Sequence, residues 1–143
     1  MIYYAVLDTN VLVSALLKKN SIPAMILKHA ANGAIIPLYS EKIFEEYEDV
    51  LRRAKFRFSD RDIQEAFNAI KERGKSVDAE PIEADFDDME DIVFYEVVME
   101  KRKTDEAWIV TGNIRHFPKE PFIVTPREML DIIEGVHKQS TNG

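Results

Sequence analysis

Apolar positions along the chain alternate between short continuous runs and longer stretches in which they recur every three or four residues, the pattern of strands interleaved with helices. An α/β fold is predicted. Ile2 to Leu7 reads as the first strand, and Thr9 to Leu17 as a helix with Leu12, Val13, Leu16 and Leu17 at helical spacing. A second helix is expected from about Ile22 to Ala31, ended by Asn32-Gly33, a pair suited to a left-handed cap. Ile35 to Tyr39 suits a second, parallel strand. Ser40 then caps a helix reaching about Arg53, with Ile43, Tyr47, Val50 and Leu51 on one face, and Ser59 caps another with Ile63, Ala66, Phe67 and Ile70 inward and Gly74 closing it. A further helix is expected from about Met89, turning Ile92, Val93, Val97 and either Phe94 or Tyr95 to the core. Ala107 to Val110 and Phe122 to Val124 are the remaining strands. Thr125-Pro126-Arg127-Glu128 is a capping box with proline at the first helical position, so the final helix starts there.

One interruption in this pattern raises a chemical question. "AVLDTNVLV", residues 5 to 13, is apolar except at Asp8-Thr9-Asn10, so a carboxylate follows directly on a strand that reads as buried. Burying an ionised carboxylate is costly unless it is paired or holds a metal. In open α/β sheets ligands bind beyond the carboxyl ends of the strands, near the point where strand order reverses. Asp8, Ser40 and Thr111 to Asn113 all stand at such ends. Glu45 or Glu46, in the helix after the second strand, and Asp88 or Asp91, at the start of a later helix, can add carboxylates to the same crevice. Asp8 is therefore read as sharing a divalent cation with other carboxylates; a plain helix N-cap is the alternative.

Composition narrows the choices. At 143 residues the chain fits one domain, expected over 1–135 with a frayed tail at 136–143. With no cysteine, neither disulfides nor thiolate metal sites can form, so any metal is held by oxygen or imidazole. The 26 acids against 19 bases give a net charge of −7, which argues against holding nucleic acid by bulk charge. Eight of those acids fall in "DAEPIEADFDDMED", residues 78–91, expected as a loop or helix approach. No stretch resembles a cleaved leader or approaches the length of a membrane helix, so a soluble, cytoplasmic protein with no membrane partner is expected.

The motifs "VLDTNVLVSAL", "YSEKIFEEYEDVLRRAKF", "DMEDIVFYEVV" and "WIVTGNIRHFP", in that order, resemble those of the PIN domains. These are Mg²⁺-dependent ribonucleases common as toxins of prokaryotic toxin–antitoxin pairs. The resemblance runs from about Ile2 to Leu130 and is closest to a branch of toxin components with Asn in the turn after strand four. It implies a three-layer α/β/α fold with a central, mainly parallel sheet of about four to five strands. It also implies hydrolysis of single-stranded RNA with Mg²⁺ or Mn²⁺, an antitoxin partner and a homodimer.

Carried over by position, the resemblance implies that Asp8, Glu46 and Asp91 are the metal-binding acids and Asn113 the fourth catalytic position. Glu46 fits better than Glu45, which would point about 100° away on the helix. Asp91 fits by its distance to Phe94 and Tyr95, while Asp88 would cap the same helix. Asn113 replaces the acid usual in the family; its amide can coordinate but brings no charge. Thr9, Ser40, Thr111 and Asp88 would orient the ligands from behind. Arg115, His116, Arg52 and Arg53 would meet RNA phosphates, with Lys55, Arg57 and Lys101 to Lys103 as further basic residues, or all of these are ordinary solvated helix ends. Two rivals differ in class. A haloacid-dehalogenase-like phosphatase would need a second aspartate two residues after Asp8, where Asn10 stands. A catalytically weak or inactive module that only binds RNA or a partner protein would be favoured by Asn113.

Overall fold

The computed structural model describes residues 2–84, 86 and 88–135; the expected tail at 136–143 lies outside them. Five parallel strands form the centre: β1 (Tyr3–Leu7), β2 (Ile35–Tyr39), β3 (Lys75–Ser76), β4 (Ala107–Val110) and β5 (Ile123–Val124). Six α-helices accompany them: α1 (Thr9–Leu17), α2 (Ile22–Asn32), α3 (Glu41–Leu51), α4 (Asp60–Lys71), α5 (Ile92–Arg102) and α6 (Pro126–Glu134). The spatial order is β3-β2-β1-β4-β5. β1 therefore lies in the middle, paired with β2 from Tyr3↔Ile35 to Val6↔Leu38 and with β4 from Tyr4↔Ala107 to Leu7↔Val110.

That order is what right-handed crossovers produce. The chain winds outward from β1 to β2 and β3, then returns across the sheet to β4 beside β1, so its helices must fall on both faces. On one face α2 packs against α4 and α6; α5 lies against β1, β2 and β4 and touches α3. Strands buried from both sides have to be apolar throughout, and Ala5, Val6, Leu7, Leu38, Ala107, Ile109 and Val110 are all buried. Reversal of strand order puts a crevice between the carboxyl ends of β1 and β4. Asp8 and Thr111 are the residues immediately beyond those ends.

Local signals set most element boundaries. The hydroxyls of Ser21, Ser40, Ser59 and Thr125 each accept a backbone N–H from the first turn of α2, α3, α4 and α6, and Glu128 completes a capping box with Thr125. Gly33 ends α2 at φ +91°, the left-handed cap expected. Gly74 departs from expectation. It holds no left-handed conformation; α4 ends at Lys71, and glycine is needed at 74 because an added Cβ would lie 2.1 Å from the carbonyl oxygen of Ile70 and 2.7 Å from that of Pro37. β3 is missing from the sequence reading because Lys75 and Ser76 are polar and exposed on the sheet's edge. A 3-10 turn at Met89–Asp91 precedes α5, which begins at Ile92. Phe94 is the aromatic it buries fully, with Tyr95 only partly covered. No described helix is long and apolar enough to cross a membrane.

Candidate active site

Asp8 is only 6 % exposed although it ends a strand facing the crevice. Its backbone N–H donates to the carbonyl of Val110 (3.0 Å), extending the β1–β4 ladder one step, so its side chain is delivered by the sheet itself. As the residue before α1 it makes no side-chain capping bond to the helix. Instead the Thr111 hydroxyl donates to Asp8 Oδ2 at 2.7 Å, and Asn10 Nδ2 donates to the same oxygen at 3.1 Å. Asn10 then closes a clasp, its Oδ1 accepting the backbone N–H of Gly112 at 3.0 Å. The turns after β1 and β4 are thus pinned together through one carboxylate. Burial pushes the Asp8 pKa upward, opposed chiefly by the bond from Thr111.

Asp91, at the start of α5, brings the second acid. Its Oδ2 is buried with no aligned hydrogen-bond partner, although His116 Nδ1 stands 3.3 Å away. Burial, then the negative charges of Asp8 and Asp88, raise its pKa to about 6, and His116 pulls in the opposite direction. A carboxylate oxygen buried with only an unaligned donor, under the charge of a second carboxylate, is the arrangement that a cation relieves. Glu46, half-buried on α3, is also raised, first by burial and then by Glu90 and Asp49, with Asp8 a smaller contribution. Its neighbour Glu45 is exposed. Glu46 lines a shallow pocket of about 350 Å³ with Lys42, Glu45, Asp49, Glu90 and Val93, a pocket that neither Asp8 nor Asp91 lines. Beneath it, the buried Tyr47 hydroxyl donates to the carbonyl of Leu7, anchoring α3 over the end of β1.

The other expected residues divide. Thr111 is bound to Asp8, and its hydroxyl also accepts the backbone N–H of Asn113 at 2.9 Å, while the Asn113 side chain is exposed and makes no hydrogen bond among the described residues. Thr9 is buried with its hydroxyl unpartnered. Ser40 does not reach the acids; its hydroxyl is committed to Ile43 N–H at the start of α3. Asp88 is exposed and accepts the N–H of Glu90, capping the 3-10 turn. Arg52 pairs with Glu48 and Asp60, and Arg53 with Asp49, which spends their charge locally. Lys101 pairs with Asp105, Lys103 with Glu100, and Arg102 donates to the carbonyl of Ala107. Arg115 is exposed. Asn10 was absent from the expected site, since the partners that make it a clasp, Gly112 and Thr111, lie about a hundred residues away in sequence.

Among the described residues no three Asp, Glu or His side chains close on one point at metal-ligand spacing. The fit to a cation rests on Asp8 and Asp91, the desolvated pair with an unpartnered oxygen.

In a doubly wound parallel sheet the switch point is where ligands bind, and here it holds the buried Asp8 between β1 and β4. Residues 4–115 match the PIN domain family model, and the chain belongs to that family. PIN domains are in general nucleases that use divalent metal ions and bind nucleic acid. The match includes Asp8, Glu46, Asp91 and Asn113 and stops one residue before His116. Neither the curated proteins nor the solved structures compared gave a match.

The raised pKa of Asp91 has a measurable sign. A carboxyl that holds its proton more tightly when folded stabilises the fold below about pH 4, and that contribution is lost as pH rises through about 6. In chelator, Asp91→Asn is therefore expected to be more stable than wild type at pH 8, by on the order of 1–2 kcal/mol, and to show a smaller difference at pH 5. Urea midpoints at the two pH values check this. A variant less stable than wild type at pH 8 would show that Asp91 is not strained.

Proposed function

We propose that this chain is a metal-dependent endoribonuclease that hydrolyses phosphodiesters in single-stranded RNA. The observation that carries the reading is the Asp8–Asp91 pair, two carboxylates whose pKa values are raised by burial, one with a buried oxygen that has no aligned hydrogen-bond partner among the described residues. Asp8 and Asp91, with Glu46 from α3 and the Asn113 amide, would hold one Mg²⁺ or Mn²⁺ ion. When bound, such an ion makes water acidic and offsets charge on a phosphate. The chain's own groups do the positioning. Thr111 and Asn10 fix Asp8 Oδ2, His116 restrains Asp91, and Arg115 at the rim is offered to a substrate phosphate.

The resemblance to toxin components carries the biological side of the proposal: a prokaryotic, cytoplasmic toxin held by a cognate antitoxin and working as a homodimer. A second reading is a PIN-fold module with weak or no activity that binds RNA or a partner protein. Two observations favour it: an uncharged residue at Asn113, and no three-ligand cluster among the described residues. Heating the protein with millimolar Mg²⁺ or Mn²⁺ tests the site, because an ion held only by the folded state raises the melting temperature. A rise that Asp8→Asn removes supports the metal site. An unchanged melting temperature with both ions counts against it.

A further inference from the structure

The loop joining α3 to α4 carries "RRAKFRF", cations alternating with aromatic residues, at 52–58. Its geometry is unusual in two respects. Phe56 and Phe58 lie face to face, ring centroids 5.3 Å apart and planes within 6° of parallel, whereas the other aromatic pairs described here meet edge-on or tilted. Arg57, between them, is held at φ +56°, and is the non-glycine residue in that region among those described. Such a conformation persists only where the surroundings impose it. Phe58 packs on the margin of the core, while Phe56 is part-exposed and rests on Phe58.

The charges are sorted as well. Arg52 and Arg53 are paired with acids, but Lys55 and Arg57 are exposed and have no carboxylate partner among the described residues. Lys55 Nζ stands 5.1 Å from the centroid of the Phe56 ring. In a protein of net charge −7, this is a local site with both an aromatic surface and unspent cations. It adjoins Glu46, since Arg53, just beyond the end of α3, and Glu46 on that helix feel each other's charge.

We propose that Phe56, stacked on Phe58 and flanked by Lys55 and Arg57, is a platform on which an unpaired base of single-stranded RNA stacks while the two cations take the neighbouring phosphates. The proposal rests on the ribonuclease reading for the identity of the strand. Base stacking on an aromatic ring needs the π-face and tolerates any sequence, and the bases of a duplex cannot reach it. Lys55, on a flexible four-carbon stem, can leave the ring for a phosphate when a base arrives.

The test is binding of a short fluorescein-labelled single-stranded RNA in chelator, where no metal assists cleavage, by wild type, Phe56→Ala, Phe56→Leu and Phe56→Trp. Ala and Leu are both expected to weaken binding, by roughly five- to a hundredfold, the range for one base stack. Phe56→Trp should bind at least as well as wild type, with tryptophan fluorescence quenched as RNA is added. Lys55→Gln and Arg57→Gln should each flatten the salt dependence. Since Phe56 is outside the core, all should keep the wild-type melting temperature, which is checked alongside. Leu binding as tightly as Phe would overturn the platform, because Leu supplies bulk without a π-face. So would equal loss of binding to a duplex of the same sequence. Cleavage by wild type in Mg²⁺ separates this from the activity: cleavage with binding indifferent to Phe56 sinks the platform alone, and Phe56-dependent binding by a protein that never cleaves sinks the nuclease reading alone.

Discussion

Single-stranded RNA incubated with the wild-type protein is expected to be cleaved slowly in Mg²⁺ or Mn²⁺ and left intact in chelator. Asp8→Asn keeps the shape of the side chain and the clasp around it while removing the central charge. Its rate should fall by roughly a hundredfold or more, beyond the range for residues that merely support a ligand. Asn113→Asp tests the same site from the other side. Its side chain is exposed and makes no hydrogen bond among the described residues, so the added carboxylate breaks none of them and draws a cation in more firmly. Metal affinity should rise, and the rate with it. If wild type is inert with both ions while Asn113→Asp cleaves, the natural protein is a binding module on a nuclease fold. If Asp8→Asn cleaves as well as wild type, the activity lies elsewhere and the mechanism fails.

Gly74→Ala should cost about 3 kcal/mol or more in folding stability, at the upper end for overpacking, although it adds one methyl group far from the acids. The atoms that its Cβ would meet, Ile70 O and Pro37 O, are backbone and belong to α4 and β2. Neither can rotate aside, so relief requires moving a helix or a strand. Gly33→Ala is the contrast. There the objection is a φ of +91° and the nearest atoms belong to the flexible Arg73 side chain, so about 1 kcal/mol is expected. Denaturant titration of both variants checks the ranking, and a Gly74→Ala protein as stable as Gly33→Ala would show that the chain at 74 has room.

The strands β1, β2 and β4 and five of the helix starts were legible because their causes are local. Burial on both faces demands unbroken apolar runs such as Ala5 to Leu7 and Ala107 to Val110, and a serine or threonine before a helix has its partner three residues on. Asp8 stood out for the same reason, as a carboxylate where an apolar run should continue. β3 was illegible because an exposed two-residue edge strand is chosen by the backbone of β2, where Lys75 and Ser76 pair with Leu38 and Tyr39, rather than by its own side chains.

Helix capping could be read from spacing, but not whether a capping residue had anything left for a site. Ser40 and Asp88 spend their oxygens on backbone N–H groups, and Arg52 and Arg53 spend their charges on acids one helical turn away or across the loop. The stacking of Phe56 on Phe58 depends on the left-handed turn at Arg57, which no residue preference announces.

The order and kind of the elements other than β3, the capped helix ends and the position of Asp8 follow from the chain's own periodicity, since each depends on neighbours within a few residues. The clasp of Asn10 and Thr111 on Asp8, the unsatisfied oxygen of Asp91 and its raised pKa, and the close approach at Gly74 exist only once β4 returns to lie beside β1 and α4 is laid against β2. Hydrogen bonds spanning 101 to 103 residues and the desolvation of a charge are properties of what surrounds a group in space, and spacing along the chain carries no record of them.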